Sequence, residues 1–254
     1  MKRSTETTGM LDVSFDFQTE AGLNSRGEER DSDRYSSTLQ EYHRILWSKP
    51  LPSGKMFTLT KVSGNRLYHF SDLGEYLLSS DWGAVTLSGS RFVKHFLTEV
   101  EPSRLRAFQK AVITIGARTV WPSNRVNGKS TINGAKGMNY LIADRLDLTI
   151  ECIRRYYLGE TSPLYETFKR YDDFFQLFED FKGYIDFFLL QDYVSKDYIS
   201  VNVSKPFDWF LSTPIPKNVE EYHSYMDTTS MLIKLRNQRI DKFARNHSPI
   251  IGSS

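Results

Sequence analysis

The spacing of apolar residues changes character along the chain. Leu11-Asp12-Val13-Ser14-Phe15-Asp16-Phe17 alternates apolar with polar at period 2, which predicts a strand. Ser36 or Ser37 can cap a helix in which Leu39, Tyr42, His43, Leu46 and Trp47 share a face, and Pro50, Pro52 and Gly54 end it. Three short runs rich in aromatic and branched residues come next: Met56 to Val62, Arg66 to Phe70 and Glu75 to Leu78. Gly64-Asn65 and Asp72-Leu73-Gly74 separate them as turns, so this block reads as linked strands. Further strands are expected over Ala84 to Leu87 and over the compact run Ala111 to Ile115, which Gly116 ends.

After Asn139 the period lengthens. Tyr140 to Leu158 predicts a helix stopped by Gly159. Ser162-Pro163 opens a second, with proline at its first position, carrying Leu164, Phe168, Tyr171, Phe174, Phe175 and Phe178. Gly183 divides it from a third run, Tyr184 to Val194. A short strand around Tyr198 to Val203 and a loop marked by Pro206, Pro214 and Pro216 lead to a last helix from about Val219 to Asn246. Its basic end (Lys234, Arg236, Arg239, Lys242, Arg245) suits the negative pole of a helix. The expected fold is α+β. A polar N-terminal segment with one strand (1–34) precedes a single α+β domain (35–254), β-rich over 35–137 and mainly helical over 138–254.

Composition narrows the class. With 254 residues, 39% hydrophobic and 14% aromatic, the chain is that of a globular protein rather than a disordered one. No apolar run approaches the ~18 to 20 residues of a membrane span, so no membrane association is expected. The polar start, Met1 to Thr8, does not read as a signal peptide. A single cysteine, Cys152, excludes an internal disulfide framework and a cysteine-rich zinc site, and a reducing, cytoplasmic location is the simplest reading. The net charge of +2 is too small to mark a nucleic-acid binder by itself. Its distribution is uneven, however: Arg104, Arg106, Lys110, Arg118, Arg125, Lys129 and Lys136 span a stretch with no acidic residue. That is either a solvated basic surface or a site for phosphate.

The chemistry-bearing candidates lie at the end of this stretch. The segment from Trp121 to Gly137 has three glycines and the polar set Arg125, Lys129, Ser130, Asn133 and Lys136. Glycines let a backbone turn its N–H groups onto an anion, and the cations add full charges. Gly128-Lys129-Ser130 imitates the tail of a P-loop, but Ser123 stands where that pattern needs glycine. A phosphate site of another kind and a plain surface loop both remain open. On the next helix, at ~100° per residue, Asp144, Asp147, Glu151, Arg154 and Arg155 cover about a third of the circumference. Ile142, Leu146, Ile150, Ile153 and Tyr157 lie opposite. Salt bridges from Glu151 to Arg154 or Arg155 would make this a solvated face. A cleft wall is the other reading, with arginines on phosphate and a carboxylate as base or metal ligand. None of the five histidines has the spacing of a metal pair. His43 and His69 read more simply as partly buried structural residues, although His69, on an expected strand, could also face a cofactor.

Long strings carry a resemblance. Trp47-Ser48-Lys49-Pro50-Leu51-Pro52-Ser53-Gly54, Ser71-Asp72-Leu73-Gly74, Thr131-Ile132-Asn133, Asp144-Arg145 with Asp147-Leu148-Thr149, Glu151-Cys152-Ile153-Arg154-Arg155 and Phe187-Phe188-Leu189-Leu190-Gln191-Asp192 resemble an uncharacterised bacterial protein family, a domain of unknown function. The resemblance runs from about Leu11 to Ile240 and implies a bacterial or phage-related origin and one full-length domain. It supplies no activity. The chain departs from the pattern at Lys136, where arginine is usual, and at Tyr156, where histidine is usual, which argues against a histidine-dependent mechanism there.

The expected function is that of a cytosolic enzyme acting on a nucleotide or nucleic acid, such as a toxin or phage-defence effector. Two chemistries fit. One is ADP-ribosyl transfer from NAD, with His69 or Tyr68, the Ser79-Ser80 strand end and Glu151 or Asp147 around the cofactor. The other is cleavage of a phosphodiester with a divalent metal held by Asp144, Asp147 and Glu151. An antitoxin or regulatory protein would then be a partner. The alternative is a non-catalytic module that binds nucleic acid or protein. All of this requires the glycine loop and the charged helix face to converge on one hollow.

Overall fold

A computed structural model describes residues 11–62, 66–82, 93–94 and 96–247. The chain enters through local capping, not strand pairing. Asp12 accepts the N–H and hydroxyl of Ser14, and Asp16 accepts the N–H groups of Gln18 and Thr19 to start α1 (Phe17–Ala21). The period-2 strand expected over Leu11 to Phe17 is therefore absent: its alternating aspartates spend their side chains on turns and a cap. Asp31 caps α2 (Ser32–Tyr35), and Ser36 caps α3 (Ser37–Trp47) as its sequence suggests. Glu20 accepts from Ser37 and Thr38 at the head of α3, which ties the entry segment to that helix.

A two-stranded ribbon, β1 (Lys49–Pro50) with β2 (Met56–Phe57), leads into the main sheet. That sheet has four antiparallel strands in the order β3 (Leu59–Val62), β4 (Arg66–Ser71), β5 (Gly74–Trp82) and β6 (Arg118–Pro122). Tyr68 faces Leu77 across the β4–β5 hairpin, and Ser79 and Ser80 face Trp121 and Val120 across the next pair. The expected strand over Ala84 to Leu87 and the Gly64-Asn65 turn lie outside the described residues, as does His95.

The run Ala111 to Ile115 is not a strand. It straddles the end of α4 (Pro102–Val112) and a 3-10 turn over Ile115–Ala117. Proline at the first helical position starts α4, and Phe108 and Val112, four residues apart, bury one face. The sixth strand is the fully buried stretch after that turn, where Arg118 and Thr119 disguise the pattern.

The second half is helical in shorter pieces than its periodicity predicts. α5 (Ile132–Met138) precedes α6 (Leu146–Tyr157), and Gly159 closes the latter at φ +71°. The expected helix from Ser162 is divided into α7 (Tyr165–Lys169) and α8 (Asp172–Gln176), and Pro163 lies in a turn ahead of the first. Gly183 does not break a helix. It lies inside α9 (Phe181–Phe187), which Asp180 caps. The Tyr198–Val203 strand reduces to an isolated bridge between Val194 and Val201. The long α10 (Val219–His247) is present as expected.

One apolar core runs from Leu11 and Phe17 to Ile240 and Ala244, so residues before 35 share it. Phe178, Tyr184, Phe187, Phe188 and Trp47 pack there, mostly as tilted and edge-on rings 4.9–6.4 Å apart. A second cluster joins α4 to the first half of α10 through Phe108, Val112, Tyr222, Tyr225 and Met226. Arg236 of α10 is fully buried and donates to the carbonyls of Gly116, Arg118 and Phe188 at 3.0, 2.6 and 3.0 Å.

A methyl group on Gly183 would collide with the Phe178 carbonyl oxygen, a contact that only a backbone shift can relieve. Gly183→Ala is expected to lower stability by about 2 to 3 kcal/mol, against the slight gain usual for Gly→Ala within a helix, as read by urea unfolding.

Candidate functional site

The glycine segment is anchored to the rest of the protein at several points. Gly128 follows Asn127, both at positive φ, in a tight turn, while Gly134 and Gly137 lie inside the seven-residue α5. Tyr171 donates to the Asn124 carbonyl at 2.7 Å, and Arg170 to that of Ser130 at 3.0 Å. Arg125 and Lys129 are exposed at the turn. Asn133 points the other way, its amide 3.4 Å from Ser79 Oγ and the Ser80 carbonyl on β5. Lys136 is fully buried, 2.9 Å from Asp81 and paired also with Asp144. Burial alone would lower its pKa, but those carboxylates hold it above the ordinary lysine value.

The charged side of α6 is likewise internally satisfied. Asp147 is buried in a bidentate pair with Arg145, at 3.1 and 2.6 Å, and accepts the N–H and hydroxyl of Ser204, each at 2.9 Å. Arg145 also reaches the carbonyls of Pro206 and Pro214, so the pair anchors the proline loop. Glu151 accepts from Arg154 at 2.8 and 3.0 Å and from Arg155 at 2.8 Å. Desolvation pushes Asp147 and Glu151 upward in pKa, and their arginines overcome it and hold both below the usual carboxylate values. Arg155 lies over Phe210, 5.1 Å from the ring centre.

Asp144, Asp147 and Glu151 thus each answer to a different cation, and among the described residues no three side chains are arranged to hold a metal ion. No hydrogen bond or ion pair among the described residues joins Arg125 or Lys129 to Glu151, Arg154 or Arg155. His69 stacks on Phe57 at 4.0 Å. Its Nδ1 lies 2.9 Å from the Thr58 carbonyl and its Nε2 3.0 Å from Ser71 Oγ, which already accepts the Leu73 N–H. Thr58 also offers its N–H to Nδ1 at 3.1 Å, so its backbone meets either tautomer, and burial lowers the His69 pKa.

A different group of residues does converge. Between α2, α3 and the β4–β5 hairpin lies a cavity of about 180 Å³. Asp33, Arg34 and His43 line it from the helices, and Arg66, Ser79 and Ser123 from the sheet. Asp33 accepts the Ser80 N–H at 2.6 Å and the Ser80 hydroxyl, while Arg118 beneath donates to Ser32 at 2.9 Å. Desolvation raises Asp33 to a pKa of about 6, against the opposing pull of Ser80 and Arg118. His43 is 1% exposed, and its Nδ1 accepts the Trp47 indole N–H at 3.0 Å. Its Nε2 has no hydrogen-bond partner, which is rare for a buried polar atom and is found most readily where a ligand or water completes the set. Burial, with Arg118 and Arg236 nearby, drives the His43 pKa down to about 3, so it stays neutral at physiological pH. The cavity therefore offers an acid raised towards neutrality, a neutral N–H donor, the Arg66 guanidinium and, at its exposed edge, Arg34 paired with Asp31 at 3.7 Å.

Sequence reasoning passed over this set. Asp33 and Arg34 belong to the polar N-terminal segment, Arg66 opens a run that reads as a strand, and His43 reads as structural. Only the alternating charges before α3 and the cap at Ser36 hint that the entry segment is folded down.

The chain belongs to DUF6994, a family of unknown function, whose model matches residues 11–240. No curated protein and no solved structure shows significant similarity to it.

Two outcomes separate structural from functional charge. Asp147→Asn leaves Arg145 buried without its counter-ion and is expected to cost about 3 to 5 kcal/mol in urea unfolding. Asp33→Asn should do the opposite. A carboxyl whose folded pKa is raised from 3.8 to about 6 destabilises the fold progressively as pH rises through that window. The variant should therefore be more stable than wild type at pH 7.5, by up to about 3 kcal/mol, and equal to it near pH 3.5. His43 acts in the opposite sense. Its folded pKa lies below its unfolded one, so stability falls as pH drops from 6.5 towards 3, and His43→Gln should flatten that limb of the thermal-unfolding profile.

Proposed function

We propose that the protein is an acid–base enzyme acting on a small phosphorylated substrate of the nucleotide or sugar-phosphate class, bound in the α2–α3–sheet cavity. One observation carries the reading: Asp33, the unpartnered Nε2 of His43 and the Arg34 and Arg66 side chains line one half-open hollow. Guanidinium groups suit phosphate because they present paired donors to its oxygens. A neutral imidazole N–H adds a donor that does not titrate near neutrality. Asp33, held near pKa 6, is matched to giving or taking a proton at physiological pH. Ser79 and Ser123 supply hydroxyls for a ribose or phosphate oxygen.

The size limits the ligand. A hollow of about 180 Å³ is below the ~300 Å³ at which drug-sized sites begin, so it holds a phosphate or sugar head while the rest of a nucleotide extends outward. ADP-ribosyl transfer stays within this reading only if NAD places one such moiety inside. A second reading, a non-catalytic nucleic-acid module, draws on the exposed Arg125 and Lys129.

Thermal unfolding with inorganic phosphate, ribose 5-phosphate, ADP and NAD tests both. Ligand at 100 times its Kd stabilises by about 2.7 kcal/mol, which for a chain of this size is a shift of roughly 5 to 10 °C. The shift should disappear in Arg66→Ala and persist in Lys129→Ala. No shift with any probe, or an undiminished one in Arg66→Ala, defeats the cavity reading. Oligonucleotide binding that falls steeply with salt and depends on Arg125 and Lys129 favours the module instead.

A further inference from the structure

Beside the C-terminal end of α3 is a second, larger hollow of about 520 Å³, separate from the α2–α3–sheet cavity. Its floor is apolar, from Leu51, Pro52, Phe187 and Phe243. Lys49, the first residue of β1, enters among aromatic faces: its Nζ is 4.6 Å from the ring centre of Phe243, 4.7 Å from that of Phe187 and 5.2 Å from that of Trp47. Among the described residues it has no hydrogen bond or ion pair. The nearby carboxylate, Asp186, is already occupied by Lys182, by Tyr198 Oη at 2.7 Å and by Gln191 at 2.8 Å. The backbone that carries Lys49 is stiff, because Pro50 and Pro52 come after it and the β1–β2 ribbon pins its register to Phe57.

Lys49 keeps part of its surface in water, but the rings around its Nζ hydrate it poorly and no carboxylate pairs with it directly. The charged groups around it pull in both directions. Arg236 from α10 repels a proton on Lys49, and Lys182 and His247 add cationic or titratable groups at the rim. Asp186, Glu179 and Asp180 oppose them from α9 and the turn before it. Burial is the largest effect, followed by Arg236, and together they bring the Lys49 pKa down to about 7. The three ring faces return part of that loss, since each attracts a cation. A desolvated amine beside another cation is the usual way proteins activate lysine as a nucleophile.

We propose that Lys49 is the nucleophile of a second site, which captures a small hydroxylated aldehyde or ketone as an imine. The Nζ lone pair adds to the carbonyl carbon, and the oxygen takes up the proton that the nitrogen sheds. The resulting carbinolamine takes a second proton on that oxygen and expels it as water while the nitrogen pair forms the C=N bond; the iminium nitrogen then gives up its remaining proton, so amine plus carbonyl becomes imine plus one water, with no oxidant or reductant. The aromatic floor accommodates the carbon chain, and the carboxylates of Glu179 and Asp180 at the rim accept from hydroxyl groups. This site does not rest on the phosphate reading, and either can fail without the other.

Reductive trapping on the full-length wild-type chain tests it. With glyceraldehyde and cyanoborohydride at pH 7, peptide mapping should show Lys49 alkylated at least about tenfold faster than exposed Lys55, with a rate that saturates as glyceraldehyde is raised. Competitive acetylation from pH 5 to 10 should place the Lys49 midpoint near 7. Lys49→Arg, which keeps the stem over the rings, should unfold at a similar temperature and lose the saturable component. Labelling of Lys49 no faster than Lys55, a rate linear in glyceraldehyde, or an acetylation midpoint near 10 would each overturn the proposal.

Discussion

Arg236 holds the two halves of this protein together. It sits midway along α10 with no exposure, and its guanidinium takes the carbonyls of Gly116 and Arg118 on the sheet side and of Phe188 on the helical side. Desolvation lowers its pKa to about 10, which still leaves it charged at neutral pH. A buried charge of this kind is tolerable only when fixed dipoles surround it. It therefore demands that the turn before β6, the end of α9 and the middle of α10 keep one geometry. Gly116 is part of the same requirement, because the Ile233 carbonyl and the Asn237 side chain lie 2.6 Å from where its Cβ would be.

Buried cations explain why charge misleads in this sequence. Arg118, Lys136, Arg145 and Arg236 are all buried, yet as letters they read as a basic surface, a phosphate loop, a helix flank and a helix terminus. The α6 face is the clearest case. Helical periodicity places Glu151, Arg154 and Arg155 together on α6, and the pairing of Glu151 with both arginines follows from their three- and four-residue spacing, but Asp144, counted on the same face, lies before the helix at φ +58° and pairs with Lys136. What periodicity cannot show is that the 204–214 loop lies over Arg145 and Asp147, because that contact joins segments far apart in the chain.

Much of the architecture was nonetheless legible. The α+β class, the antiparallel hairpins, the Ser36 cap, the Gly159 stop and the long last helix all rest on local signals that tertiary contacts reinforce. The failures share one cause. Over Leu11 to Phe17, over Ala111 to Ile115 and at Gly183, a local pattern has two physical meanings, and packing chooses between them. Aspartate in an alternating run can face solvent or close a turn; glycine in a helix can end it or admit a neighbouring backbone. The candidate cavity was invisible for a further reason. Its Asp33, His43, Arg66 and Ser79 come from four separate elements and form no spacing along the chain.

Trp47 has one more implication. Its indole edge donates to His43 at the wall of the smaller cavity, and its face lies beneath Lys49 in the larger one. One fully buried ring thus supports a lining residue of each hollow without lining either itself. A replacement of Trp47 therefore withdraws support from His43 and Lys49 together, and residues in contact are where mutational effects cease to add.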